Sequence, residues 1–269
     1  MAEAAIGGSA EKVSHEEAGL RFEVDGEIAT ITLDRPEKRN AQTFATWSEL
    51  ARIGDTLPQQ VRVVVVRGEG PSFSAGIDLR LLAPEGIPGQ GSLATLAAAE
   101  DPIFEQRIAQ AQQGFLWLRR PDIVSVAAVN GHAIGAGFQL ALACDLRILA
   151  EDATLCMREP ALGLVPDLTG TKPLADLVGL PRALEICLTA RAVGAREALA
   201  LGLAELVVAP HELTRAVQDL AAALLSVDRG AATATKRLLQ GARERTLEEQ
   251  AAAERQEQIA RVRALFAGS

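Results

Sequence analysis

The chain has 269 residues, 48% hydrophobic and 23% charged, which is enough apolar content for a large core and too much for general disorder. Its formal net charge of −8 argues against a nucleic-acid binder, which would need a basic footprint, but is compatible with a small polyanionic ligand held by a few cations and free backbone N–H groups. Cys144, Cys156 and Cys187 are odd in number, lie in apolar surroundings and lack CxxC spacing, so reduced core thiols are expected and no metal site.

Residues 1–18, MAEAAIGGSAEKVSHEEA, are small, polar and acidic without a strong period, and read as a loose arm. The arm lacks the basic start and apolar run of a secretory signal, and no later segment is apolar for long enough to span a bilayer. A cytoplasmic protein without membrane contact is expected. In 20–36, LRFEVDGEIATITLDRP, apolar residues alternate around Asp25-Gly26, which predicts two antiparallel strands joined by a tight turn. Residues 43–57 place Phe44, Trp47, Leu50 and Leu57 at helical spacing, and VRVVVVRG at 61–68 is a β-branched run suited to a sheet buried on both faces.

The alternation continues with a helix around 103–118, a strand at 123–131, a short helix from about 137 and a strand-like run at 146–157. This pattern predicts an α/β fold with mostly parallel strands. APEGIPGQGS at 83–92 is rich in Gly and Pro and reads as a mobile surface loop. Beyond about 170 the pattern turns helical, near 173–179, 182–190, 195–201, 211–226, 231–241 and 246–266, with one short strand in AELVVA. The expected organisation is an arm over 1–18, a core over 19–205 and a helical region over 206–269. The last helix carries Leu247, Ala251, Ile259, Val262 and Phe266 on a broken apolar stripe, fit to face its own core or another subunit.

Two loops share a plan: a buried strand ends and small residues precede a helix, in PSFSAGIDLRLL (71–82) and NGHAIGAGFQLALACD (130–145). Small residues there either permit tight packing or leave N–H groups free for an anion or an oxyanion, and spacing alone leaves both open. Gly131, Gly135 and Gly137 do not form GxGxxG, so a dinucleotide site is disfavoured.

FSAGIDL, AAVNGHAIGAGFQLALACDLRI and REPALGLVPDLTGTKPL, in this order and spacing, resemble the successive signature segments of the enoyl-CoA hydratase/isomerase, or crotonase, superfamily. The downstream LTARAVGAREALALGLAELVV is similar to a further family stretch, and the resemblance spans about residues 20–265. It implies an α/β spiral of ββα units with a C-terminal helical trimerisation region, assembled as a homotrimer or a dimer of trimers. It also implies acyl-CoA thioesters as ligands, with coenzyme A part of the substrate and no metal or redox cofactor. By motif position, the two N–H groups of an oxyanion hole fall on Ile77 and Ala136, with Ala75, Gly76 and Gly135 shaping the approach to them.

Family hydratases resembling this chain carry glutamates at the positions of both Gln139 and Glu159. An amide positions water but cannot accept its proton, so the single acid Glu159 favours double-bond isomerisation, in which one base moves a proton from the α to the γ carbon. Hydration of a trans-2-enoyl-CoA is the alternative, and a non-catalytic acyl-CoA-binding protein is the rival from another class. Asp167 either matches an acid of the family's dienoyl-CoA isomerases or caps the following helix. Arg35, Lys38, Arg39 and Arg80 either meet the nucleotide end of coenzyme A, as the resemblance implies, or are solvated surface cations. His132 reads as a structural hydrogen-bonder, and Asp78 and Asp145 as caps or ion-pair partners.

Overall fold

A computed structural model describes residues 13–15 and 17–267. Most of the expected loose arm lies outside the described residues, but Val13–His15 contradicts it: this segment is strand β1, antiparallel to β2 (Leu20–Asp25). Without it β2 would present a row of unpaired backbone groups, which β1 satisfies. β2 turns at Gly26, which has a φ of +56°, into antiparallel β3 (Ile28–Leu33). Helix α1 (Phe44–Asp55) starts from a reciprocal cap between Thr43 and Thr46 and leads to β4 (Val63–Gly68).

The chain continues through α2 (Leu93–Ala97), α3 (Asp101–Leu116), β5 (Val124–Val129), β6 (His132–Ile134), α4 (Ala136–Ala143), β7 (Leu146–Ala150) and β8 (Thr154–Cys156). Next come α5 (Thr171–Val178), α6 (Leu180–Thr189), β9 (Val193–Gly194), α7 (Ala195–Ala200), β10 (Leu206–Val208), α8 (Leu213–Leu225), α9 (Arg229–Gly241) and α10 (Leu247–Phe266). The main sheet has the order β1-β2-β3-β4-β5-β7-β10 and is parallel from β3 onward, while β6-β8-β9 form a second, smaller sheet.

The strand-like run at 146–157 is therefore two strands in two different sheets. A turn at Glu151-Asp152, closed by the Ala153 N–H on Ala150 O, redirects the chain because both acids face solvent. The segment 132–134, expected as loop, is a strand because it pairs with β8. The 83–92 loop is pinned where it was expected to be mobile: Ile87 and Ser92 are buried, and Gln90 Oε1 accepts the Ala45 N–H at 3.0 Å.

Alternate residues of the central strands feed two cores, as a sheet buried on both faces requires. Val64, Val66, Ala127 and Val129 pack with α1, α3 and α4, whereas Val63, Val65, Val126 and Ala128 pack beneath Leu213, Val217 and Ala221 of α8. Helix α9 is anchored by Lys236, whose Nζ donates to Arg120 O and Ile123 O at 2.7 Å and to Asp145 Oδ2 at 2.6 Å. Asp145 is thus an ion-pair partner, as expected. Helix α10 buries no residue, with Leu247 at 87% and Ile259 at 52% exposure, so these two side chains of its stripe are not covered by a core among the described residues. Among the described residues, no helix is long and apolar enough to cross a membrane.

Candidate functional site

The two small-residue loops are joined to each other by backbone bonds. Phe73 N–H donates to Asn130 O and Ser74 N–H to His132 O, both at 2.8 Å, and Ile134 N–H returns to Ser74 O at 2.9 Å. A buried polar network holds the first loop from behind. Asn40, at a φ of +55°, donates from Nδ2 to Glu69 O and Ser72 O, while Ser74 Oγ donates to Asn40 O at 2.8 Å. Gln42 donates from Nε2 to Ser74 Oγ at 3.1 Å, and its backbone brackets the loop by donating to Gly76 O and accepting from Asp78 N–H.

Asn40, Gln42 and Ser74 were not singled out from the sequence. Asn40 and Gln42 lie in a polar run just before α1, which is indistinguishable from an ordinary solvated turn until the loop 71–78 closes over it, and Ser74 lies within that loop as one small residue among several.

This bracketing leaves Ile77 between two occupied neighbours. Among the described residues, no acceptor is found for the N–H of Ile77 or for that of Ala136, the first residue of α4. Two glycines make the site compact. A Cβ on Gly76 (φ +89°) would stand 2.5 Å from Ile134 O and 3.5 Å from Ala136 N, and one on Gly135 (φ +51°) would stand 3.1 Å from Glu159 Oε1. Gly131 and Gly137 serve packing instead, since a Cβ there would meet Pro71 O at 2.0 Å and Ser74 O at 2.6 Å. Both meanings of the small residues are realised, at different positions.

Glu159 opens a single helical turn after β8 and is buried. Its Oε1 accepts from Gln139 Nε2 at 2.7 Å, and its Oε2 is buried with no hydrogen-bond partner among the described residues. Burial pushes its carboxyl above the ordinary glutamate range, against the opposing pull of backbone and Gln139 N–H donors, and the charge of Asp167 adds to the rise. Gln139 is fully buried, and its Oε1 accepts from Leu168 N–H at 2.9 Å and Gly170 N–H at 3.2 Å.

Asp167 is half-buried, and burial raises its carboxyl as well. It does not cap the next helix: the residue before α5 is Gly170, with no side-chain cap. Gln112 of α3 donates to Asp167 O at 2.7 Å, fixing the backbone there.

The four cations divide. Arg35 is tied inward, to Ala41 O at 2.9 Å and to buried Asp78 at 3.1 Å, and its side chain is only 17% exposed. Arg80 also holds Asp78 but is 53% exposed, and this guanidinium, with Arg35 behind it, keeps the Asp78 carboxyl far below the usual range. Lys38 and Arg39 are exposed, and Arg39 O accepts the Ala75 N–H at 2.8 Å, which attaches the cationic turn to the first loop and uses up the Ala75 donor.

His132 is exposed, with Nδ1 at 3.2 Å from Ser72 Oγ, in keeping with a structural hydrogen bond. All three cysteines are free: burial pushes the Cys144 thiol up to about 12, while Cys187 is only partly buried. Among the described residues, no group of three or more His, Cys, Asp or Glu side chains is placed to hold a metal ion. A cleft of about 710 Å³ lies on the other face of the sheet, between β3–β5 and α8, and none of Gly76, Ile77, Gly135, Ala136, Gln139 and Glu159 lines it. Chemically, N–H groups without a partner and a desolvated carboxylate with one unpartnered oxygen, both found among the described residues, are the kinds of group that stabilise an enolate and carry its proton.

Residues 23–263 match the family model for enoyl-CoA hydratase/isomerase. The carnitinyl-CoA dehydratase of Salmonella typhimurium is 36% identical over 241 residues, covering 86% of this chain and 83% of that protein. The short-chain-enoyl-CoA hydratase of Clostridium acetobutylicum is 31% identical over 208 residues, covering 76% of this chain and 74% of that protein. Among solved structures, a candidate enoyl-CoA hydratase from Thermobifida fusca in complex with acetoacetyl-CoA superposes with a TM-score of 0.89 at 59% identity, covering 91% of this chain and 95% of that one. The same protein with CoA gives a TM-score of 0.88 at 58% identity, covering 94% of this chain and 95% of that one.

Proposed function

Because the chain belongs to the enoyl-CoA hydratase/isomerase family, we propose that it moves a double bond within an acyl-CoA thioester, using Glu159 as the one proton carrier. The observation that carries this reading is the asymmetry of Glu159: Oε1 is occupied by Gln139, and Oε2 is buried with no hydrogen-bond partner among the described residues. The N–H groups of Ile77 and Ala136 receive the thioester oxygen. Oε2 takes the α-carbon proton, and the electron pair of that C–H bond delocalises into a dienolate held by the two donors. The same proton then bonds to the γ carbon as the electron pair returns from the oxygen, leaving the double bond between the α and β carbons.

Hydrogen-bond stabilisation and carboxylate proton transfer require neither a metal nor a redox cofactor, and coenzyme A enters as part of the substrate. Arg80, Lys38 and Arg39 are the cations exposed near the first loop and suit the phosphates, while Arg35 acts behind them through Asp78. Assembly as a trimer or a dimer of trimers fits the uncovered apolar side chains of α10, and a cytoplasmic setting fits three free thiols. Hydration is the second reading, favoured by Asp167, a second half-buried acid whose charge reaches Glu159.

A panel of 2-enoyl and 3-enoyl thioesters, followed for both hydration and isomerisation, tests the choice. Faster conversion of the 3-enoyl substrates, abolished by Glu159→Gln with binding of a saturated acyl-CoA retained, is the expected outcome. Hydration as the dominant rate would replace the isomerase reading.

A further inference from the structure

We propose that Gln139 is a positioning residue that decides which oxygen of Glu159 carries the proton, by keeping a hydrogen-bond donor permanently on Oε1. The inference rests on Glu159 acting as the base. Its ground is that the Gln139 amide is held at both its oxygen and its nitrogen. Oε1 accepts from Leu168 N–H at 2.9 Å and Gly170 N–H at 3.2 Å, and Nε2 donates to Glu159 Oε1 at 2.7 Å.

The amide cannot turn over, because a flip would set its NH₂ against two backbone donors and its oxygen against a carboxylate oxygen. The loop also closes directly onto the side chain. A Cβ on Gly170 would stand 2.7 Å from Gln139 Cγ, so no side chain fits between them. With Oε1 already serving as an acceptor in a buried site, a proton arriving at Glu159 resides on Oε2, the oxygen without a partner. The Gln139 amide bonds go to Glu159, Leu168 and Gly170, so its route to the reaction runs through Glu159.

A glutamate at this position separates positioning from mere structure. One of its oxygens can accept the same two N–H groups of Leu168 and Gly170, so the loop stays anchored. The other faces Glu159 Oε1 across the present 2.7 Å contact, where two carboxylates must share a proton. The other charged or titratable groups near Glu159 are Asp167 from the loop before α5, Cys187 on α6, Cys156 on β8 and the neighbouring Arg158, and all are unchanged by the substitution.

The test uses the full chain in its native assembly. The Glu159 carboxyl carbon is titrated by ¹³C NMR without substrate, assigned by its loss in Glu159→Gln, and the acid limb of kcat/KM is measured for a 3-enoyl thioester. In Gln139→Glu both should move to higher pH together, by about one unit or more, with affinity for a saturated acyl-CoA within about threefold of wild type. Gln139→Met removes the donor without adding charge and should move the carbon titration the same way by less, which keeps the test decisive if the first variant fails to fold. An unmoved carbon titration in either folded, ligand-binding variant overturns the proposal. Full isomerisation by Glu159→Gln would instead remove Glu159 as the base, a separate result that the substrate-free titration does not depend on.

Discussion

Nε2 of Gln139 lies 2.7 Å from Oε1 of Glu159, although the two residues are twenty positions apart and belong to different supersecondary units. The contact places a neutral donor where two acids would compete for one proton. It leaves Glu159 with one hydrogen-bonded oxygen and one buried oxygen that has no partner among the described residues.

The approach to this site should tolerate no side chain at Gly76 or Gly135. Both have positive φ, and an alanine methyl at Gly76 would stand 2.5 Å from Ile134 O, a backbone atom held in place by the strands. Gly76→Ala is expected to lower kcat by roughly 10²- to 10³-fold by misplacing the Ile77 and Ala136 donors. Steady-state kinetics beside a thermal melt checks this, and a folded variant with unchanged kcat would contradict it.

Stability should depend on pH in opposite senses at two acids. The folded pKa of Glu159 is raised by burial, so its ionisation opposes folding above the ordinary glutamate range. Glu159→Gln is therefore expected to raise Tm at pH 7 by roughly 2–4 °C, a gain that fades as pH falls through the raised folded value. The Asp78 carboxyl is depressed by Arg80 and Arg35, so its contribution is present above the unfolded aspartate value and is lost as pH falls through the folded one. Asp78→Asn should lower Tm at pH 7, with the difference shrinking in strong acid. Melting curves across pH read both signs.

The cations should separate by role. Lys38→Ala and Arg39→Ala are expected to weaken acyl-CoA binding by roughly two- to tenfold each, with the loss shrinking as salt is added. Arg35→Ala should mainly destabilise the fold, because it strips buried Asp78 and Ala41 O of a donor. Calorimetry at two ionic strengths distinguishes these outcomes.

Helix α10 should carry an assembly contact. Ile259, Val262 and Leu265 are all exposed in the single chain, a run of apolar side chains on one helix. Light scattering should give three or six times the chain mass of 28.4 kDa, and Leu265→Asp should shift the population toward smaller species. A monomer at micromolar concentration would contradict the trimer proposal.

Element type was written locally in this chain. The β-branched run Val63–Val66 and the segment Val124–Val129 encode strands buried on both faces because each side chain's fate follows from alternation alone. Two helix-bound glycine loops and their matched motifs pointed to Ile77, Ala136 and Glu159 as one site. Tertiary structure decided what each polar atom meets.

Arg35 reads like its neighbours Lys38 and Arg39 until Asp78, forty-three positions on, captures it. For Asp167 the sequence leaves a family acid and a helix cap both open until Gly170 is found at the cap position of α5, and residues 146–157 read as one strand until β8 turns away to pair with β6 and β9. Gln139 could be identified as an uncharged residue from the sequence, but the direction of its amide depended on the N–H groups of Leu168 and Gly170. Periodicity is a property of adjacent residues, whereas a buried hydrogen bond depends on which distant donor the folded chain brings within 3 Å or so.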